Sequence, residues 1–168
     1  MAAIRYELES KFGSTYGEDE ARALIDVLDK QAPTSGNACI AFEKEFAAYC
    51  GVEYARACSN GTAALFLSLL GLGVGKGDRV LTTPLTWIAT AAAGATLGAE
   101  VDFVDVDLAT CNIDAAQIEE HLTPNTKAVL PVHLYEQCCD MDAILALSKK
   151  TGFAVVEDAC HAIGAEYR

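Results

Sequence analysis

Basic residues are scarce in this 168-residue chain, which has 12 lysines and arginines against 24 aspartates and glutamates and a net charge of −12. So acidic a chain repels the phosphate backbone of nucleic acids and the headgroups of anionic lipids. Nucleic acid and membrane surfaces are therefore not expected partners. Its hydrophobic residues, 52% of the total, are enough to fill the core of one domain of this length.

Long apolar runs and metal-binding cysteine spacings are also missing. The N-terminus has no continuous apolar stretch of the kind a signal peptide needs, and the weakly polar stretch at 87–97 is too short to span a bilayer. We therefore expect a cytoplasmic protein without a transmembrane helix. The seven cysteines include no CxxC pair, which predicts reduced, mostly buried thiols and no metal site.

Short apolar runs alternate with helix-like segments along the chain. Two amphipathic helices are predicted first, one behind the acidic run at 18–20 and one that stops at Gly51, where glycine can adopt the left-handed capping conformation. Strands are predicted at 54–58, 79–83, 101–106, 127–133 and 153–157. Helices are predicted between them at 62–72, 85–97, 114–122 and 140–151, and Asp114 is the expected N-cap of the third.

This order predicts an α/β fold, a three-layer sandwich in which helices cover both faces of a mostly parallel sheet. Ligands of such sheets bind beyond the carboxyl ends of the strands. A polar residue lies at or just after the end of each predicted strand, namely Ser59, Thr83, Asp105, His133 and Asp158. Any one of them suits an ordinary turn, but five together favour a shared cleft.

Three of these strand ends suggest specific chemistry. The segment SNGTAAL at 59–65 places a glycine turn before a helix, so the amides of Gly61, Thr62 and Ala63 suit a phosphate group, although such turns are common. Asp158 follows an apolar strand, where it suits either a protonated ring nitrogen such as that of pyridoxal phosphate or the cap of the next helix. Trp87 suits stacking on a flat ring or plain core packing.

Six sequence blocks in this order closely resemble the DegT/StrS family of sugar aminotransferases. The blocks are SNGTAAL (59–65), GKGD (75–78), PLTWIAT (84–90), TPNTKAV (123–129), PVHLY (131–135) and EDACHA (157–162). The resemblance extends from about Gly17 to Arg168, which is nearly the whole chain. It implies an aspartate aminotransferase (fold type I) architecture, a dimer, and pyridoxal 5'-phosphate as the cofactor that carries an amino group from glutamate to a nucleotide-linked keto sugar.

The resemblance also implies roles for individual residues. Gly61, Thr62 and Ala63 hold the cofactor phosphate, and Trp87 stacks on the ring. Asp158, the one catalytic residue expected here, pairs with the ring nitrogen, while His161 approaches the ring hydroxyl. His161 stands where many members have glutamine, and Glu136 stands where the family pattern has glycine.

Family members continue well beyond the matching region, through the segment with the Schiff-base lysine and a small domain. Residues 1–168 are therefore expected to be the N-terminal part of the large domain, inactive alone, with weak and non-covalent cofactor binding. A second copy or a complementary C-terminal chain is the expected partner. Two alternatives stay open: a fragment of a sugar dehydratase of the same family, and a non-catalytic binding or scaffold subunit.

Overall fold

A parallel sheet of four short strands organises the protein, in a computed structural model that describes residues 16–30 and 36–167. The strands are β1 (Arg79–Thr82), β2 (Glu100–Phe103), β3 (Thr126–Leu130) and β4 (Ala154–Val155). Their spatial order is β2-β1-β3-β4, and each neighbouring pair is parallel. A further parallel bridge between Val132 and Asp158 prolongs the pairing of β3 with β4 toward the carboxyl ends of the strands.

Helices precede and connect the strands. They are α1 (Glu18–Lys30), α2 (Asn37–Cys50), α3 (Gly61–Gly71), α4 (Ala89–Thr96), α5 (Ile118–His121) and α6 (Met141–Thr151). A 3-10 turn, Leu134–Glu136, follows β3. The element order is therefore the alternation that a parallel sheet requires, since each parallel connection must cross back over the sheet.

The two faces of the sheet are both covered. Successive residues of a strand point to opposite faces. Val80 and Ala128 accordingly pack in one hydrophobic cluster with residues of α3 and α4, whereas Leu81 and Val129 pack in another with residues of α5 and α6. The predicted three-layer α/β sandwich with a parallel sheet is thus confirmed.

The chain divides into two compact units, residues 1–57 and 58–168. In the first unit, α2 ends where predicted, because Gly51 has a φ of 67° and its amide donates to carbonyl groups of the last helical turn. Glu43 in α2 accepts hydrogen bonds from the Arg56 side chain (2.9 Å) and the Ala57 amide (3.0 Å), which fixes the segment after the helix.

The predicted strand at 54–58 is wrong. This apolar run is irregular and mostly exposed, with Tyr54 71% accessible, and it pairs with none of the described strands. Its apolar residues and the following glycine turn are typical of a strand, but a strand forms only where a neighbour satisfies its backbone groups. Ser59 consequently precedes α3 without ending a strand.

Several boundaries also differ from the expectation. The helix predicted at 85–97 begins only at Ala89, and the one predicted at 114–122 shrinks to four residues. Asp114 caps the turn before α5 rather than the helix itself, since its carboxylate accepts from the Ala116 amide at 3.0 Å. The thiols were expected to be mostly buried, but among the cysteines only Cys139 is.

Within the described ranges 16–30 and 36–167, no helix is both long and apolar enough to cross a membrane.

Candidate cofactor site

Asp158 lies at the centre of the candidate site, just beyond β4. It is only 6% exposed, and its backbone is fixed because its amide donates to Pro131 O (2.9 Å) while its carbonyl accepts from the His133 amide (3.1 Å). The carboxylate accepts hydrogen bonds from the Thr90 hydroxyl at Oδ2 (2.7 Å) and from the Cys160 amide at Oδ1 (3.2 Å). Since a carboxylate has about four acceptor positions, acceptor capacity remains for a ligand.

Thr90 was missed by the reasoning from sequence. It is completely buried in the first turn of α4, a helix of small residues that packs closely on the sheet. A Cβ added at Gly94 of the same helix would lie 3.2 Å from Val101 Cγ2, which shows how close this approach is. The signal in the sequence was a threonine three residues after Trp87 in a run of alanines.

The N-terminus of α3 carries no acidic residue. Asn60 is its N-cap, with Oδ1 accepting from the Ala63 amide at 2.9 Å. Within the described residues, the Gly61 and Thr62 amides donate to no other protein group, as is usual for the first amides of a helix. Two of the three amides predicted to face a phosphate are therefore open to an anion, whereas that of Ala63 serves the cap.

Gly61 makes a close approach to the segment after β4. A Cβ added at Gly61 would lie 2.7 Å from Cys160 Sγ, closer than real side chains pack. The glycine therefore lets the start of α3 lie directly against the residue two positions after Asp158. Partial desolvation by its neighbours, followed by a hydrogen bond to Asp158 and the charge of that carboxylate, raises the pKa of the Cys160 thiol to about 11, although the residue as a whole is exposed.

A cleft of about 240 Å³ joins these residues. It is lined by five of the six predicted site residues, namely Gly61, Thr62, Trp87, Asp158 and His161. Ala63 instead lines a neighbouring hollow between α3 and α4. Trp87 is 74% exposed at the rim, so it is not a core residue, and its indole is accessible for stacking.

His161 has an aromatic neighbour that the sequence did not predict. Its ring is stacked on Tyr135, with centroids 5.9 Å apart and an interplanar angle of 20°. Tyr135 and Glu136 both have left-handed backbones, with φ of 51° and 68°. The second value explains why a glycine suits position 136 better than glutamate.

The side chain of Asn112 holds the turn at 134–137 in place. Its buried side chain accepts from the Leu134 amide at Oδ1 (3.0 Å) and donates from Nδ2 to Gln137 O (2.9 Å). The two hydrogen bonds bracket Tyr135 and Glu136, and left-handed non-glycine residues persist only where the surroundings hold them. Asn112 therefore keeps Tyr135 next to His161.

His133 connects the ends of β3 and β4 on the other side of Asp158. Its Nδ1 accepts from the Cys139 amide (3.1 Å), which leaves Nε2 to donate to Glu157 Oε2 (2.9 Å). The hydrogen bond from His133 lowers the pKa of Glu157, against the opposing effect of burial. Burial raises the pKa of the Cys139 thiol to about 12, so that thiol stays protonated.

Four of the five predicted strand ends lie at the expected edge of the sheet, but the expectation that the five share a cleft is wrong, because only Asp158 lines it. Thr83, Asp105, His133 and Asp158 follow β1, β2, β3 and β4 at the same edge of the sheet, and Ser59 is the exception already noted. The residues of the cleft fit pyridoxal phosphate: a buried carboxylate with spare acceptor positions, open amides at a helix N-terminus, a glycine where no side chain has room, and an accessible indole.

Comparison with known proteins gives consistent matches. A model of the DegT/DnrJ/EryC1/StrS aminotransferase family matches residues 14–168. GDP-perosamine synthase of Caulobacter vibrioides is 50% identical over 133 residues, which are 79% of this chain and 36% of that protein.

Solved structures agree in fold. S. venezuelae DesV, in complex with a ketimine intermediate, is 39% identical with a TM-score of 0.85 over 88% of this chain and 40% of its own. A GDP-4-keto-6-deoxymannose-3-dehydratase with a trapped PLP-glutamate geminal diamine is 31% identical with a TM-score of 0.87, over 93% of this chain and 42% of its own. The chain thus spans about 40% of the length of such proteins.

Proposed function

Because the chain belongs to the DegT/DnrJ/EryC1/StrS aminotransferase family, we propose that it is the cofactor-contacting part of an aminotransferase that moves an amino group from glutamate to a nucleotide-linked keto sugar. The observation that carries the proposal is the buried Asp158 carboxylate in the same cleft as the open N-terminus of α3. The carboxylate suits a protonated ring nitrogen and the helix N-terminus suits a phosphate. Pyridoxal phosphate carries both a ring nitrogen and a phosphate.

Asp158 is the residue that would contact the reactive ring of the cofactor and influence its reactivity. Pyridoxal phosphate, when bound, supplies an electron sink that is effective while its ring nitrogen carries a proton. The Asp158 carboxylate would hold that proton, because a buried acceptor pairs strongly with a cationic donor. The Thr90 hydroxyl and the Cys160 amide donate to this carboxylate and fix its orientation.

The remaining site residues would bind and orient. The Gly61 and Thr62 amides, at the positive end of the α3 dipole, would hold the phosphate, and the Thr62 hydroxyl would add a donor. Trp87 would cover one face of the ring and exclude water from it. His161, held by its stacking on Tyr135, would donate to or accept from the ring hydroxyl. Ala63 would contribute shape only, since Asn60 already uses its amide.

None of the lysines in the described part of the chain lines the cleft. We therefore propose that the lysine that links covalently to the cofactor lies outside residues 1–168, in the remainder of the large domain or in a complementary chain. This chain alone would then bind pyridoxal phosphate weakly and non-covalently and would not transaminate. A second copy of the chain is the other proposed partner, by analogy with the dimers of the family.

A sugar dehydratase is the second candidate function. It is favoured by the match to the GDP-4-keto-6-deoxymannose-3-dehydratase, which covers 93% of this chain. The cofactor residues proposed above serve either reaction. Finding lysine or histidine in the cofactor-linked position of the complementary segment would separate the two. A non-catalytic scaffold role would be favoured if no such segment restored activity.

The cofactor site can be tested on the 168-residue chain by titration with pyridoxal phosphate. Trp87 is the only tryptophan, so quenching of its fluorescence reports binding at the cleft. We expect saturable quenching that dialysis reverses, and no cofactor fixed to a specific lysine by borohydride. Asp158→Asn should weaken binding at least about tenfold, since it removes a charge-assisted hydrogen bond.

Asp105→Asn is the matched control, because Asp105 follows β2 at the same sheet edge but does not line the cleft. The proposal is contradicted if both variants bind like the wild type, or if the chain alone transaminates glutamate. Supplying a matching C-terminal segment in trans should restore glutamate-dependent conversion of the cofactor to its amino form.

The seven free cysteines support one statement about location. Unpaired thiols, most of them exposed, fit a reducing compartment. We propose the cytoplasm, and recovery of the native protein in a cytoplasmic fraction with all seven thiols titratable after denaturation would support it.

A further inference from the structure

The Thr90 hydroxyl lies among three polar groups in the interior of the site. Its Oγ1 is 2.7 Å from Asp158 Oδ2, 3.2 Å from Trp87 O and 3.1 Å from Thr86 Oγ1. A hydroxyl has one proton to donate and two lone pairs to accept with. Only one of the two acceptors, the carboxylate or the carbonyl, can therefore receive the Thr90 proton at a time.

The proton goes to Asp158. The carboxylate is the nearer acceptor by 0.5 Å, and a hydrogen bond to a charged acceptor is about twice as strong as one between neutral groups. Trp87 O loses nothing, because it already accepts from the Thr90 amide at 3.2 Å. The Thr86 hydroxyl can in turn donate to Thr90 Oγ1, which completes a chain from Thr86 through Thr90 to Asp158.

We propose that Thr90 is a positioning residue that sets the orientation of the Asp158 carboxylate and so makes the cleft selective for ligands with a protonated ring nitrogen. Thr90 and Cys160 each occupy one acceptor position on a different oxygen of Asp158. The carboxylate is thereby prevented from rotating, and the acceptor positions that remain are fixed in direction. The inference rests on the proposed function, since it concerns the same site.

A ligand pair separates this role from a purely structural one. Pyridoxal phosphate is compared with its carbocyclic analogue, in which a CH group replaces the ring nitrogen and the phosphate, ring and aldehyde are kept. Equilibrium dialysis of the 168-residue chain gives a dissociation constant for each. Their ratio reports the contribution of the ring nitrogen, and a general loss of structure would change both constants together.

Thr90→Val removes the hydroxyl with little change in volume. We expect the preference for pyridoxal phosphate over the analogue to fall about tenfold, because the carboxylate is no longer fixed in direction, while affinity for the analogue stays the same. Thr90→Ser should restore the preference. Thr96→Val is the matched control: Thr96 is on the same helix, but it is exposed and donates to Ala92 O.

If Thr90→Val does not fold, Thr90→Ala is measured against Thr90→Ser in the same way. The inference is overturned if either hydroxyl-free variant keeps the wild-type preference, or if it loses affinity for both ligands equally. Asp158→Asn distinguishes this failure from that of the proposed function. A wild type without any preference, unchanged by Asp158→Asn, overturns both, whereas a preference that requires Asp158 but survives Thr90→Val overturns only the role of Thr90.

Discussion

Helices α3 and α6 have the same length, eleven residues, and their N-termini are capped by the same kind of bond. Asn60 accepts from the Ala63 amide at 2.9 Å, and Asp140 accepts from the Ala143 amide at 3.1 Å. The difference lies in charge: the first turn of α3 has no acidic residue, whereas α6 has Asp140 as its cap and Asp142 in its first turn.

An amide in the first turn of α6 also has a hydrogen-bond partner within the protein. The Asp142 amide donates to the Tyr167 hydroxyl at 3.2 Å. The positive dipole end of α6 is therefore neutralised by groups of the protein, while that of α3 opens into the cleft beside Asp158. Two helices of equal length thus differ in whether the protein itself supplies an anion at the N-terminus.

Closing the α3 terminus with a side chain should have the largest effect. Gly61→Ala places a Cβ 2.7 Å from Cys160 Sγ, so the sulfur must rotate away or the helix must shift. We expect a loss of about 1 to 3 kcal/mol in the free energy of unfolding, measured with urea, and weaker pyridoxal phosphate binding. Cys160→Ala removes the sulfur, which among the described residues is the one atom within 4 Å of the added Cβ apart from the adjacent residues and the backbone of α3. The double variant should recover stability, and strict additivity would contradict the contact.

Removing the cap of α6 should cost less. Asp140→Ala leaves the Ala143 amide without its acceptor and takes away a charge at the helix N-terminus, so unfolding should become easier by about 1 kcal/mol. The binding of inorganic phosphate should not change, because α6 is not part of the cleft. Asp140→Asn, which keeps an acceptor, serves as the control and should lower the free energy of unfolding by only a few tenths of the change expected for Asp140→Ala. An effect of Asp140→Ala on phosphate binding would argue against independent helix ends.

A reciprocal exchange tests the two helix N-termini directly, since Thr62 and Asp142 are each the second residue of their helix. Thr62→Asp should stabilise the chain by about 0.3 to 1 kcal/mol, because α3 then carries its own anion. It should also abolish stabilisation by added phosphate in thermal melts. Asp142→Thr should destabilise by a similar amount and leave the phosphate response intact. A Thr62→Asp variant that still responds to phosphate would exclude α3 as the anion site.

The smallest effect concerns the thiol beside Gly61. With a pKa of about 11, raised by partial desolvation and then by the hydrogen bond and charge of Asp158, Cys160 is protonated at neutral pH. Its alkylation by iodoacetamide should rise with pH through the range 8 to 11 instead of levelling off near 9. Asp158→Asn removes the two causes that involve the carboxylate, so the pKa should fall and alkylation at pH 8 should be faster. Mass spectrometry resolves the sites, with Cys58 as the internal reference. Equal alkylation rates at Cys160 in the wild type and in Asp158→Asn would show that the carboxylate does not raise the pKa of the thiol.

Local signals predicted the parts of the fold that depend on local physics. Gly51 ends α2 through bonds to its own neighbours, so spacing was sufficient to identify it. The helix predicted at 140–151 likewise agrees with α6 to within one residue. The parallel sheet followed from the alternation of apolar runs and helical segments. The run at 54–58 looks equally apolar, but whether it forms a strand depends on a partner strand, which no local pattern encodes.

The residues that line the cleft could be predicted only where they lie at the ends of elements. Asp158 and Gly61 follow from strand-end and helix-start positions, whereas Thr90 depends on how closely α4 approaches the sheet. That Asn60 takes the Ala63 amide was also not predictable, because an asparagine beside a glycine turn equally suits the turn itself.

The way Asn112 holds the 134–137 turn determines how freely that turn can change during evolution. Both of its hydrogen bonds go to main-chain atoms, the Leu134 amide and the Gln137 carbonyl. Every amino acid except proline offers the same amide, and every one offers the same carbonyl. Replacing the side chains at 136 and 137 therefore leaves both hydrogen bonds in place, and glycine at 136 also suits the left-handed backbone there. The backbone path that carries Tyr135 to His161 can thus be kept while these side chains change.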